Sequence, residues 1–273
     1  MNKLGIRAHD VGKYEPHILS DKIKNLGFEG VQLVFKKALD QSIDLIDLES
    51  IKNAFRKPSI FMLGAYFNPV HPNIDEVHLG IENFKKHLKI ASTLGVQYVG
   101  TETGSYQGSP WTYHPKNHTD EALNQVVEVF RELALFAHKH KCYIALEGAY
   151  AHVAYSPKKL KEIIDRINSP SVKVIVDLFN YLNLDNYKNH VSILKDAIDL
   201  FQEDIVIFHL KDFIIKDEKL FQVGLGKGLM DYPKIIDMIQ TYCPQAFLIF
   251  EGVTGEDIKL SYDYIHKLLE KGV

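Results

Sequence analysis

Short apolar runs alternate with longer amphipathic stretches along the whole chain, and no other feature narrows the choice of fold so far. The runs cover residues 4–8, 28–33, 60–67, 96–100, 143–146, 172–176, 205–208 and 246–250. Each has the length of a strand buried on both faces, and each is followed by residues with helical spacing. The clearest helical stripe is Leu123, Val126, Val127, Phe130, Leu133, Ala134 and Ala137. Helices are expected to close near Leu26-Gly27, near Lys57-Pro58 and at Leu94-Gly95, where Gly suits the position after the last helical turn. Ser156-Pro157 supplies an N-cap and a first helical residue. Eight β-then-α units in 273 residues, without a linker or a shift in composition, predict an α/β fold: a closed (β/α)8 TIM barrel, with residues 1–273 as a single domain. An open doubly wound sheet is the runner-up, but Ala8-His9-Asp10-Val11-Gly12 is not the Gly-rich phosphate turn that such a sheet usually carries. Residues 212–230 are too many for an ordinary connection and read as an extended seventh βα loop, a length that usually signals function.

Composition removes other classes. Hydrophobic residues at 46% and charged residues at 25% are those of a chain that buries a core, which excludes disorder. The net charge of −3, with both signs mixed, offers no basic face for nucleic acid. Cys142 and Cys243 have no motif spacing, so neither a disulfide framework nor a thiolate metal site is expected. Residues 1–10 lack the apolar core of a signal peptide, and no apolar run is long enough to cross a bilayer. A soluble cytoplasmic protein without membrane or nucleic-acid partners is the expectation, with a homo-oligomer left open.

Four polar residues terminate four successive expected strands: Glu147, Asp177, His209 and Glu251. Their spacings are 30, 32 and 42 residues; the first two are one βα unit each, and the third is a unit lengthened by the long loop. In a barrel all four lie at the C-terminal rim, on neighbouring strands, where this fold builds its sites. A charged residue after one buried strand merely marks the approach to water; four in register, all of metal-ligating type, point to a shared centre. Three carboxylates and an imidazole, with no thiolate, form a hard donor set that favours Mn²⁺, Mg²⁺ or Co²⁺ over structural zinc.

The order Glu, Asp, His, Glu, with HLKD around His209 and FEG around Glu251, resembles the xylose-isomerase-like sugar isomerase/epimerase superfamily over essentially the whole chain. The segment from Val223 through Gly224, Gly226 and Gly228 to Asp231-Tyr232 is similar to the family's glycine-rich stretch before the seventh helix. The resemblance implies a barrel, a divalent metal on Glu147, Asp177, His209 and Glu251, and a small sugar or polyol as substrate. It further implies that Glu147 and Glu251 move the substrate proton, as the corresponding glutamates do in ketose 3-epimerases. A carboxylate can take a proton from carbon beside a polarised carbonyl, and a second can return it on the opposite face. The chain departs from that pattern after Glu147, where it reads Gly148-Ala149-Tyr150-Ala151-His152, and three residues after Asp177, where Asn180 replaces a common histidine. HLKD is closer to the inosose-dehydratase-like branch, so a dehydratase is the rival within the class. Apurinic-site endonucleases share the barrel but need further histidines that are missing here, and a non-catalytic sugar-binding barrel would not need both glutamates.

His9, Glu102, Asn180, Lys211 and Asp212 are the expected substrate-binding residues, because hydroxyl recognition needs several placed donors and acceptors at the rim. Strand alternation puts Lys211 on the side of His209, either for substrate or for a carboxylate, and Asp212 could meet a substrate hydroxyl or orient a ligand. Arg7, Asp10, Gln32, Asn68 and His71 also fall at strand ends, where a solvated or structural role is the commoner outcome. Tyr106, Trp111, Tyr113 and His114 could form a wall over a sugar or simply pack their loop. Gly224, Gly226 and Gly228 could bring backbone N–H groups to an anion.

Overall fold

All eight apolar runs form strands in the computed structural model, which describes residues 2–39 and 43–271. The strands are β1 (Leu4–Arg7), β2 (Gly30–Leu33), β3 (Ser59–Gly64), β4 (Tyr98–Glu102), β5 (Tyr143–Glu147), β6 (Val172–Asp177), β7 (Ile205–Leu210), β8 (Asp212–Lys216), β9 (Lys219–Val223) and β10 (Phe247–Phe250). All but β8 and β9 pair in parallel and close in the order β1-β10-β7-β6-β5-β4-β3-β2. Closure leaves no strand edge bare, which suits strands whose both faces are apolar. The fold is therefore the expected α/β TIM barrel.

Two expectations about connections are corrected. The stretch after β7 contains a two-stranded antiparallel hairpin, β8 with β9, rather than an unstructured loop. Its turn residues, Asp217 and Glu218, both have positive φ (49° and 54°), the combination that matches a tight turn to the twist of its strands. Between β2 and β3 the single helix expected to close near Lys57-Pro58 is instead two short helices, Phe35–Ala38 and Leu48–Ala54, with a 3-10 turn at Ile43–Leu45. Asp47 starts the second of them by accepting from the backbone N–H of Glu49 and Ser50. Other signals held: Ser156 caps Pro157–Ile167, and Gly95 adopts the left-handed conformation after Ile74–Leu94. Among the described residues no helix is long and apolar enough to cross a membrane.

The barrel's interior is filled by Phe61, Met62, Ala145, Ile175, Val206, Ile207 and Ile249, a packed plug beneath the rim. Phe61 stacks on Phe247 with ring centroids 3.9 Å apart. This ring takes the room that a side chain at position 30 would occupy: a Cβ on Gly30 would lie 2.2 Å from Phe61 Cζ. The glycine between β1 and β3 is thus a packing requirement. Gly30→Ala should destabilise the protein by about 1–3 kcal/mol, the usual cost of overfilling a packed core. Urea unfolding of Gly30→Ala, Phe61→Leu and the double variant checks this. Strong coupling between the two sites is expected, and additive effects would refute the assignment.

Candidate active site

Parallel register brings the strand-end residues together. Glu147 closes β5, Asp177 closes β6 directly opposite His209 of β7, and Glu251 follows β10, its backbone N–H bonded to the Leu210 carbonyl. His209 is the centre of the set: its Nδ1 lies 3.4 Å from Glu147 Oε2, 3.2 Å from Glu251 Oε2 and 3.9 Å from Asp177 Oδ2. Glu147, Asp177 and His209 are buried, and each offers a ligand atom within 4.8 Å of the others. Glu251 lies outside that tight triad while still facing the same imidazole nitrogen.

Glu251 Oε1 is held by two cations, Arg7 Nη1 and Lys211 Nζ, each at 2.8 Å. Arg7 is itself gripped by Asp10 through bonds of 3.0 and 2.8 Å, and Asp10 accepts from the Gly252 N–H at 2.6 Å, tying the β1 end to the β10 end. Lys211 also lies 2.8 Å from Asp177 Oδ2, so its buried charge serves carboxylates. Asn180 links the other members. Its Nδ2 donates to Glu147 Oε1 at 2.6 Å, its backbone N–H donates to Asp177 Oδ1 at 3.1 Å, and its Oδ1 accepts from Lys211 at 3.2 Å. Each glutamate therefore has one oxygen pinned and the other directed at His209.

The electrostatics describe a site with too little positive charge of its own. Burial pushes Asp177 up to about 6, with Lys211 only partly offsetting it and Glu147 and Glu251 adding to the rise. Burial alone would lower His209, but Glu147, Glu251 and Asp177 outweigh it and raise the imidazole to about 9. Glu102, the register partner of Glu147, is pushed well above the usual carboxylate range by burial and by Glu147. Glu251 goes the other way: burial opposes its charge, yet Lys211, His209 and Arg7 hold it well below that range. Among the described residues, Asp177 Oδ2 and both nitrogens of His209 are buried and make no well-directed hydrogen bond, although Lys211 and the two glutamates lie close as charges. Two carboxylates and an imidazole that converge within 4.8 Å, in a surplus of negative charge, fit a divalent cation once the imidazole gives up its proton.

Several expected substrate contacts prove to be structural. Asp212 is fully buried; its oxygens accept from the N–H groups of Phe213 (2.8 Å), Met230 (3.0 Å), Gly226 (2.9 Å) and Gly228 (2.9 Å). The substrate role expected of Asp212 is therefore corrected. It is the internal anion that the glycine-rich segment binds, and it fixes the base of the hairpin. Asn68 likewise serves its loop, donating to the Ser105 carbonyl and accepting from the Val70 and Ser105 N–H groups, while His71 is bonded locally to Asn73. Gln32 donates to the Tyr66 hydroxyl at 2.8 Å.

Glu102, Asn180 and Trp111 line a cavity of about 310 Å³ together with Tyr150, His152 and Phe179. Of the other loop aromatics, Tyr106 bonds Gln125, Tyr113 stacks near Tyr150, and His114 caps a short 3-10 turn. His9 sits in the turn Ala8–Val11 close to Arg7; burial first, then the charges of Arg7 and Lys37, lower it to about 4. Two site residues escaped the sequence reading. Tyr66 is half-buried where it feels Glu147, Glu251 and Glu102, and its only local signal is its place two residues beyond β3. His152 is the second, and its signal was the departure after Glu147.

A family model described as xylose isomerase-like TIM barrel matches residues 20–265. A probable L-ribulose-5-phosphate 3-epimerase of Mycoplasma pneumoniae is 24% identical over 185 residues, 68% of this chain but only 56% of that relative's length. Among solved structures, a D-tagatose 3-epimerase-like protein superposes with a TM-score of 0.78 at 16% identity, over 99% of this chain and 98% of the other. A barrel from Mycobacterium smegmatis, solved in complex with magnesium, superposes with a TM-score of 0.73 at 14% identity, over 99% and 97%.

Metal uptake should release protons, because an imidazole raised to about 9 and a carboxyl raised to about 6 must both lose theirs to ligate. Affinity should therefore climb as pH rises toward 9 and fall steeply below 6. Calorimetric titration with Mn²⁺ in buffers of differing ionisation enthalpy measures the released protons directly. Elemental analysis over Mn, Mg, Co and Zn should find about one ion per chain. Unchanged metal content in Asp177→Ala and His209→Ala would remove the centre.

Proposed function

The chain belongs to the xylose isomerase-like TIM barrel family, and we propose that it is a divalent-metal-dependent isomerase or epimerase of keto sugars. The observation that carries this reading is the pairing of Glu147 and Glu251 about one imidazole, each with one oxygen pinned and the other turned toward that ring. The epimerase named for the Mycoplasma relative and the tagatose-epimerase-like neighbour support the same chemical class.

Glu147, Asp177 and His209 would hold the ion, Mn²⁺, Mg²⁺ or Co²⁺ by hardness of the donors, with Glu251 Oε2 as the expected fourth ligand. Such an ion supplies Lewis acidity toward a carbonyl and its neighbouring hydroxyl, which acidifies the C–H between them. The protein's own groups do the rest. Glu251, kept ionised by Lys211, His209 and Arg7 against the opposing effect of burial, is suited to take the proton from carbon. The C–H electron pair passes toward the carbonyl oxygen, giving an enediolate. Glu147, at the same imidazole nitrogen and oriented by Asn180, would take a proton from solvent and return it to the same carbon from the opposite side, which inverts it, while Glu251 gives its proton up to solvent. Delivery to the adjacent carbon would instead make the reaction an isomerisation. Lys211 and Arg7 restrain the negative charge while the proton is in transit.

Glu251→Gln and Glu147→Gln should each lower turnover by about 10²–10⁴-fold, the range for losing a general base. Metal content is measured alongside, so that a lost ion is not read as a lost base. Incubation in D₂O with ketoses should place deuterium on carbon in a product of unchanged formula. A product lighter by one water would instead identify a dehydratase of inosose type. Full activity of either Gln variant with normal metal would rule out the two-glutamate mechanism.

A further inference from the structure

The cavity beside the glutamates contains a histidine that the mechanism above does not use. His152 is only 5% exposed, and its Nε2 lies 3.3 Å from the Trp111 carbonyl oxygen. A carbonyl can only accept, so Nε2 carries the hydrogen and Nδ1 carries the lone pair. Burial lowers the ring to about 4 despite the opposing pull of Glu147, so the imidazole is neutral in ordinary buffers. Its Nδ1 is buried and has no hydrogen-bond partner. A buried acceptor without a donor is a cost that a bound hydroxyl would remove.

The surroundings select the kind of ligand. Asn180, on the cavity wall, donates to Glu147, so the cavity adjoins the proton-transfer pair. Trp111, Tyr150 and Phe179 give it flat apolar surfaces, and Glu102 adds a carboxyl. Among the described residues, no lysine or arginine is in its lining. Lys211 stands behind Asn180 and Phe179, but Asp177 and Glu251 already share its charge, so a terminal phosphate, with nearly two negative charges at neutral pH, would meet a carboxyl and no cation left for it.

We propose that this cavity binds the uncharged, hydroxylated end of an unphosphorylated keto sugar, with His152 Nδ1 accepting a hydrogen bond from one of its hydroxyls. The proposal rests on the keto-sugar reading and sharpens it to a substrate class. Lys36 and Lys37 line a different cavity, of about 520 Å³, which also includes Tyr66. A phosphorylated substrate would turn its tail there instead.

Binding to the Mn²⁺-loaded protein, measured by calorimetry, separates these arrangements without relying on turnover. The titrants are pentuloses, hexuloses and their terminal phosphates, against the wild type, His152→Phe, His152→Asn and the pair Lys36→Ala with Lys37→Ala. Unphosphorylated ketoses should bind at least about tenfold more tightly than their phosphates. His152→Phe should weaken them by about tenfold, the scale for leaving a substrate hydroxyl without its acceptor. His152→Asn places an amide oxygen near the position of Nδ1 and should restore binding to within about threefold. Phosphates that bind more tightly, above all if Lys36→Ala with Lys37→Ala abolishes the advantage, overturn the proposal. Ketose binding unaffected by His152→Phe, or no ketose binding at all, does the same. Deuterium uptake from D₂O reports separately on the chemistry. Tight ketose binding without exchange keeps the subsite and removes the epimerase reading, whereas exchange confined to phosphates removes the subsite and keeps that reading.

Discussion

The balance of charge at the mouth of the barrel governs everything built around it. Glu102, Glu147, Asp177 and Glu251 gather where the permanent cations are Arg7 and Lys211, and Asp10 claims part of Arg7. Carboxylates taken out of water are costly unless paired and hydrogen-bonded. The protein meets this cost unevenly. Glu251 receives both cations and stays ionised, while Glu102 and Asp177 are driven toward protonation and His209 retains a proton. One further divalent charge among Glu147, Asp177 and His209 would reverse the last two tendencies together. The centre is stable as a cluster only in company with a cation, whether protons or a metal ion.

The scaffold makes that cluster possible by separating stability from chemistry. Phe61 and its neighbours fill the barrel below the rim, so the ionisable residues rest on a packed floor instead of a water-filled channel. Asp212 illustrates the division. One residue past the buried Lys211, it spends all its charge on the backbone of the hairpin base and contributes nothing to a substrate. From that base, Gln222 of β9 reaches back to donate to the carbonyl of Glu251. The long insertion after β7 thus braces the residue that closes the site.

The alternation of strand and helix and the strand-end carboxylates were legible because each follows from a local rule. A strand's end lies at the rim wherever the barrel's register puts it, so Glu147, Asp177, His209 and Glu251 needed only counting. Lys211 was half legible: alternation put it beside His209, but only packing reveals that Asp177 and Glu251 share it. His152 and Tyr66 were not legible, since loops fold them over the rim and no periodicity governs a loop. Asp212 misled for a related reason. A carboxylate after a strand is ambiguous until the partners of its oxygens are known, and here they lie 14 and 16 residues away at Gly226 and Gly228.

The exchange of a histidine for Asn180 reads differently once its contacts are known. Its amide donates to Glu147 with one end and accepts from Lys211 with the other, while its backbone N–H holds Asp177. An imidazole has two ring nitrogens and could make both side-chain bonds in one tautomer, but placed between a carboxylate and an ammonium it could also take up a proton. Its second nitrogen would then become a donor facing Lys211, and the link would be broken. An amide does not titrate at any pH the fold survives. It keeps Glu147 Oε1 occupied, leaves Glu147 Oε2 turned toward His209, and adds no further proton to a site where several groups already compete for one. What looks in the sequence like a lost ligand-side histidine is, in the folded chain, a fixed brace between two acids and a base.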